Sequence, residues 1–400
     1  RRAMVDWDDV LSYRTVRIVK IRDKRLFFLY AFFVLLIVIY MIVWNFGHKM
    51  NHLKFEEPLG TVRTSLKAPG GPYKLPVSEL PYCGSDVYIG TDWHVFAQKP
   101  CKVADSKFVV YPPSEETAML CTSRVSAQKQ TLPSGCDEVS TDPKCVWKDA
   151  GAETDFLIAQ LENYTLFVDH TMDAPQSELQ RNSKYMEGRL TNLEGHTFDP
   201  CDEYGGKDSC PPWINIGQYG KADIMQLGTL LRAAGVTMDE HAHASRAIGK
   251  SSWESRRYSG IVILMRIFYD NIQTFNTNNI RYTYQVMQVP NTEYKVEEPQ
   301  VSGTTRTIID RHGIRIIFQQ TGKIGVFDIQ TLLINLVAAM GLLAVATICV
   351  DFLATKVLAQ KDFYEECKFM VPVDEDTYKQ SGRTFHEPPV VAPILRDPSV

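Results

Sequence analysis

The residues with the most evident chemical capacity lie in the second half of the chain. Asp239-Glu240-His241-Ala242-His243 gathers two imidazoles and two carboxylates within five residues. That donor set can ligate a divalent cation; on a solvated loop the same set serves only as surface charge. Nucleotide hydrolysis at a membrane surface is a second chemistry to weigh, and enzymes that perform it use Asp-x-Gly-Ser/Thr phosphate loops. The nearest string here, Asp149-Ala150-Gly151-Ala152, lacks the hydroxyl. The sequence also holds no Walker loop, no Gly-x-Ser-x-Gly and no His-Glu-x-x-His. It therefore reads as a non-enzyme that needs no cofactor.

Cysteine usage points to an oxidising compartment. Seven of the nine cysteines, Cys83, Cys101, Cys121, Cys136, Cys145, Cys201 and Cys210, fall in the long middle of the chain. Such clusters read as disulfides. Seven is odd, so one cysteine is free or pairs between chains, and the connectivity of the first five is not readable from spacing. Asn163-Tyr164-Thr165 is a glycosylation sequon of the same compartment. A net charge of −4 gives no reason to propose nucleic-acid binding.

Two apolar runs bracket this middle. Leu26–Trp44 and Ile329–Val350 carry no charged residue. A bilayer core about 30 Å thick needs roughly 20 helical residues to cross it, and both runs suffice. Arg14, Arg17, Lys20, Arg22, Lys24 and Arg25 precede the first run, and Lys356 and Lys361 follow the second. That excess of positive charge places both ends in the cytoplasm. No small-residue cleavage site follows the first run, so it reads as a span, not a signal peptide. The expected layout is a cytoplasmic segment 1–25, a span 26–46, an extracellular or lumenal domain 47–328, a span 329–352 and a cytoplasmic tail 353–400, disordered from about 382. The membrane is that of the cell surface or of an organelle. The start at Arg1 reads as a trimmed end.

The middle is expected to be β-rich. Phe108–Tyr111, Tyr164–Val168, Gly260–Met265, Ile280–Val286 and Thr307–Phe318 are rich in β-branched and aromatic residues. Residues 83–145 read as a disulfide-stapled head lobe, and 225–257 as helix or loop. Lys250, Arg256 and Arg257 read as a solvated face. The first span is bulky all round, whereas the second carries Asn335, Ala338, Ala339, Gly341, Ala344, Ala346 and Thr347. Small residues let helices approach closely, and a mid-span Asn avoids lipid. Helix packing and pore lining both fit that composition. One such helix cannot enclose a pore, so pore lining requires an oligomer.

With the topology in place, eight local motifs in order resemble one family, the ionotropic purinergic receptors: trimeric cation channels gated by extracellular ATP. Tyr13-Arg-Thr15-Val-Arg17 resembles the motif before the family's first span, and Asn163–Val168 its Asn-Phe-Thr-Leu-Leu-Val strand. Cys201 and Cys210-Pro211 resemble a disulfide ending in Cys-Pro, and Asn279-Ile280-Arg281 resembles Asn-Phe-Arg. Gly313-Ile-Arg315, the segment Gly322–Asp328, the span ending at Asp351 and Tyr364–Lys368 follow in register. A degenerin-type sodium channel shares the outline, but its ectodomain is larger and much richer in cysteine.

The resemblance implies a homotrimer whose β-rich extracellular domain stands on two helices per subunit, passing Na, K and Ca ions when ATP binds between subunits. It assigns Lys67, Thr165, Phe167, Asn279 and Arg281 to the nucleotide and pairs Cys201 with Cys210. One of two family lysines is lost: Ser65 or Pro69 replaces it, depending on which neighbour anchors the alignment. Asp310 stands where the family has a third basic residue, and a carboxylate there repels phosphate. Arg311 replaces that residue only through a bulge or slipped register, because strand neighbours point to opposite faces. In the second span the resemblance places Asn335 and Ala338 at the pore's narrowing, Gly341 and Leu342 below it, and Asp351 at the cytoplasmic mouth. The same architecture with a weak ATP response or another ligand remains the alternative.

Overall fold

The computed structural model describes residues 24–69, 76–83, 87–89, 92–94, 100–112, 117–242, 254–271, 279–359, 361 and 364. The Tyr13–Arg17 motif, the basic run before the first span as far as Arg22, His243, Lys250, Cys367 and the tail from 382 lie outside these residues. The chain divides into two units, one holding both spans and the other covering Leu53–Asp328.

In the first unit, an α-helix Lys24–Ile39 continues as π-helical turns through His48, and a second helix Ile329–Phe352 continues through Val357. Both are long and apolar enough to cross a membrane, and both extend slightly beyond the expected bounds. The helices pack on each other, the second through Ala346, Val350 and Ala354. The Asn335 amide donates 2.8 Å bonds to the Asn51 and Thr331 carbonyls. Asn335 therefore serves the seam between the helices in this chain. Ala338, Gly341 and Val345, spaced at three and four residues, share an exposed side, with Leu342 at its margin. The small residues thus fall on two faces, one packed against the first helix and one exposed.

The second unit contains eighteen strands among the described residues. They are β1 (Leu53–Glu56), β2 (Val62–Lys67), β3 (Val87–Ile89), β4 (Asp92–His94), β5 (Cys101–Lys102), β6 (Val110–Tyr111), β7 (Ala118–Thr131), β8 (Lys148–Asp149) and β9 (Thr154–Ile158). There follow β10 (Thr165–Ala174), β11 (Leu179–Asn182), β12 (Glu187–Asn192), β13 (Thr197–Phe198), β14 (Asp223–Gln226), β15 (Ile261–Asp270), β16 (Arg281–Gln288), β17 (Lys295–Ser302) and β18 (Thr305–Phe327). The main sheet runs β13-β12-β16-β15-β18-β7-β9-β5, and a smaller sheet is built of β11, β10, β14 and β2. The two share one core, in which Leu66, Leu166 and Val168 meet Ile263, Tyr284 and Ile316.

Four of the five expected strands are present. Phe108–Tyr111 differs: Asp105 Oδ1 accepts from Phe108 N at 2.9 Å and caps a helical turn, leaving only Val110–Tyr111 extended. The head-lobe stretch contains two disulfides, Cys83–Cys101 and Cys136–Cys145, and Cys201 pairs with Cys210. Its third feature went unforeseen: β7, a central strand holding Cys121 fully buried and free. Burial pushes that thiol up to about 12, so it is inert. Gly313 lies where β18 presses on β7 at a bulge; a Cβ there would collide with the Cys121 carbonyl. Only glycine permits that approach.

Candidate functional site

Alternation along β2 buries Val62 and Leu66 and turns Arg63, Ser65 and Lys67 outward. Alternation along β10 buries Leu166 and Val168 and leaves Thr165, Phe167 and Asp169 partly exposed. Antiparallel pairing then sets Lys67 opposite Thr165, Ser65 opposite Phe167 and Arg63 opposite Asp169. One face therefore carries two cations, one carboxylate, two hydroxyls and an aromatic ring. Among the described residues neither Arg63 nor Lys67 has an ion pair or hydrogen-bond partner. The carboxylate on this face, Asp169, is bonded to Ser183 and Asn182, so an anion meeting the two cations breaks no ion pair to reach them.

A second cluster lies at the hairpin of β17 and β18, where Lys295 pairs in register with His312 and Glu297 with Asp310. Lys295 Nζ is 2.9 Å from Glu297 Oε1 and 3.7 Å from Asp310 Oδ2. Bonding to Glu297, helped by Asp310, raises the lysine pKa against its slight burial. Arg311 points to the other face: it is buried, donates to Glu298 Oε2 and to the Phe108 carbonyl at 3.0 Å each, and stacks over Phe108. The β18 bulge falls after it, between His312 and Gly313, and does not turn it outward. The expected replacement of the lost cation by Arg311 is thus not what this geometry provides.

Arg281 is also placed differently from expectation. It begins β16, beside Glu187 at 3.2 Å and in register with Asp270, whose other neighbour is Lys323. Lys323 and Asp310 are thirteen residues apart on one continuous strand, roughly 40 Å at about 3.3 Å per residue. One triphosphate cannot touch both Arg281 and position 310 of a single chain. The basic residue beside Asp310 is Lys295. Glu293-Tyr294-Lys295 keeps the aromatic–basic order of the family's Asn-Phe-Arg, matches it less well in letters than Asn279-Ile280-Arg281, and stands at the head of the strand that pairs with position 310. That strand order was the missing signal. Asn279 precedes β16 with Arg281 and shares its remoteness.

In the described part of the Asp239–His243 constellation, Asp239–Ala242, both carboxylates are engaged by arginines, and His243 lies outside the described residues. Asp239 receives both a 2.6 Å and a 2.9 Å bond from Arg257, and Glu240 binds Arg256 at 2.6 Å. His241 forms a backbone bridge to Ser255. No group of three metal-capable side chains occurs among the described residues. The arginines expected on a solvated face are what hold the carboxylates, and Arg257 is buried. Asn163, in the turn before β10, is half-buried and donates to Gln160 Oε1 at 2.7 Å.

Behind the outward face of β10 lies a buried polar hub joining both sheets. His170 Nδ1 bonds Tyr269 OH at 2.8 Å, and Gln320 Nε2 donates to Tyr269 OH at 2.7 Å. Tyr282 OH and Tyr284 OH each donate to Asp223 Oδ2 at 2.5 Å. His170 Nε2 stands 3.9 Å from that same oxygen, with no hydrogen-bond partner. Burial pushes the His170 pKa down to about 3, and burial raises that of Asp223 against the bonds it accepts. A depressed histidine favours folding above its unfolded pKa near 6.5, and the benefit is lost as pH falls toward 3. At pH 5 the loss is about 2 kcal/mol. Asp223 acts oppositely, keeping its proton longer when folded, so it offsets part of that loss within the carboxylate range. Thermal melts of the full-length protein in detergent should show a drop in stability from pH 7 to pH 5 that His170→Asn largely abolishes. An equal drop in the variant would remove His170 as its cause.

Three comparisons bear on these features. The family model described as ATP P2X receptor matches residues 145–371. P2X receptor E of Dictyostelium discoideum is 39% identical over 399 residues, covering 98% of this chain and 94% of that protein. P2X receptor A of the same organism is 38% identical over 369 residues, covering 92% and 91%. P2X purinoceptor 4 of Mus musculus is 21% identical over 90% of this chain and 93% of its own length. Among solved structures, an invertebrate P2X receptor from the Gulf Coast tick, crystallised with ATP and Zn2+, superposes with a TM-score of 0.50 at 14% identity, covering 81% of this chain and 99% of that one. That last likeness is one of fold.

Proposed function

Because this chain belongs to the P2X receptor family, whose members are ATP-gated cation channels and not enzymes, we propose that three copies of it form a channel opened by extracellular ATP. The observation that carries this reading is the outward face of β2 and β10, where Lys67 and Arg63 stand without counterions beside Thr165 and Phe167. Phosphates suit the cations through charge-assisted bonds, the Thr165 backbone suits the base, and Phe167 suits the sugar. Lys295 of a neighbouring subunit completes the set in place of Arg281 and Arg311. Both termini face the cytoplasm, and the β-rich domain faces the outside or a lumen.

No bond is made or broken in this activity. ATP shifts a closed–open equilibrium by preferring the open state, and it shifts that equilibrium only as far as its affinities for the two states differ. β18 carries the displacement, since it runs from the Lys295 hairpin to Phe327, two residues before the second span. The exposed side with Ala338 and Gly341 lines the pore, and three copies of Asp351 at its inner mouth favour Na, K and Ca ions. No cofactor is needed.

A second reading keeps the trimer but weakens the ATP response. It is favoured by Lys295, whose charge is already met by both Glu297 and Asp310 before any ligand arrives. Whole-cell recording separates the two. An inward current evoked by external ATP supports gating; no current, from protein shown at the surface, leaves the channel with another ligand.

A further inference from the structure

We infer that Arg63 is a phosphate-binding residue of this chain, forming with Lys67 a two-cation clamp across Ser65; this rests on the nucleotide reading of the β2–β10 face. The described cations divide into those held by a carboxylate and those that are not. Arg124 is bound to Asp155 at 2.7 Å, Arg256 to Glu240, Arg257 to Glu162 and Asp239, Arg281 to Glu187, Arg311 to Glu298 and Lys295 to Glu297. Arg63 has no such bond, although a carboxylate lies directly opposite it in register.

That carboxylate is Asp169, and its position explains the difference. Its Oδ1 accepts from Ser183 Oγ at 3.1 Å and from Asn182 Nδ2 at 3.3 Å, which holds it toward the β11 side. An exposed guanidinium held near an engaged carboxylate keeps its five donors for something else. Geometry limits what that is. Arg63 and Lys67 lie on the same face four residues apart, roughly 13 Å at about 3.3 Å per residue. Two long side chains leaning toward each other over the small Ser65 close that gap around a group bearing several anionic oxygens. A monophosphate offers both heads the same few oxygens, whereas a di- or triphosphate offers each head its own. The clamp thus makes affinity depend on the length of the phosphate chain, with Phe167 opposite Ser65 closing the site from the side.

Binding of a fluorescent ATP analogue to the detergent-purified full-length protein, with ATP and AMP as competitors, tests this. Arg63→Gln, an exposed change that removes the charge and keeps a polar head, should weaken ATP by about tenfold or more, the worth of one charge-assisted contact. AMP affinity should change little, so the preference for ATP over AMP should shrink. Adding Ser65→Lys to Arg63→Gln moves the charge two residues along the same face and should restore most of the loss. Unchanged ATP affinity in Arg63→Gln, with Lys67→Ala still disabling, overturns the clamp and leaves the nucleotide site standing. No effect from either variant overturns both.

Discussion

Lys67→Ala is expected to raise the ATP concentration for half-maximal current about a hundredfold, without reducing the protein at the cell surface. The size follows from its setting. Lys67 is exposed, opposes Thr165 and has no counterion among the described residues, so nothing inside the chain takes up the lost charge. A charge-assisted bond is worth about 1.5–3 kcal/mol, and a triphosphate can take more than one from the ammonium. Two companion changes fix the direction. Asp310→Asn should tighten ATP about fivefold, since like charges a few ångströms apart in water repel by about 1 kcal/mol. Lys295→Ala should weaken it, because Glu297 and Asp310 then face the ligand uncovered. Arg281→Ala should do little by comparison, being held by Glu187 at the far end of the sheet. Equal losses from Arg281→Ala and Lys67→Ala would place the nucleotide elsewhere than on β2, β10 and the Lys295 hairpin.

These contrasts show what a one-dimensional reading reaches. The spans are legible because a charge-free run of sufficient length has few other uses. β10 and β15 are legible because one face of each is buried and the alternation survives in the letters. β7 is not, because Ala118–Ser126 is buried throughout and includes Thr122, Ser123 and Arg124. Two of those polar groups are satisfied from far away: Ser123 Oγ donates to the Arg257 carbonyl at 2.6 Å and Arg124 binds Asp155. Such partners, 134 and 31 residues distant, leave no local trace. In the candidate site, Lys67, Thr165 and Phe167 converge because two adjacent strands position them. Arg281 and Arg311 were matched by letter and by neighbourhood. Strand order carries the first away from position 310, and strand alternation turns the second from the surface.

Arg257→Ala is expected to destabilise the extramembrane domain by about 2–5 kcal/mol, the cost of emptying a buried side-chain site and leaving two partly exposed carboxylates without their partner. Arg257 is 1% exposed and grips Asp239 with two bonds while its Nη2 also bonds Glu162. Its guanidinium lies 3.8 Å from the centre of the Tyr82 ring. Burial works to raise the Glu162 pKa, and the charge and hydrogen bonds of Arg257 outweigh it and hold the carboxyl low. Without Arg257, two carboxylates stay beside a cavity that the side chain once filled. Domain stabilities are about 5–15 kcal/mol, so little margin is left. The damage also falls near the ligand face, since Glu162 is three residues before Thr165 at the entry to β10. Arg257→Lys keeps the charge but not the fork, and should lie between wild type and alanine. Adding Glu162→Gln and Asp239→Asn to Arg257→Ala should recover part of the loss, because uncompensated charge and not lost volume is then the larger defect. Melting of the full-length protein in detergent reads all four. Should Arg257→Ala melt with the wild type, the cluster would be idle in folding and its burial would need another cause.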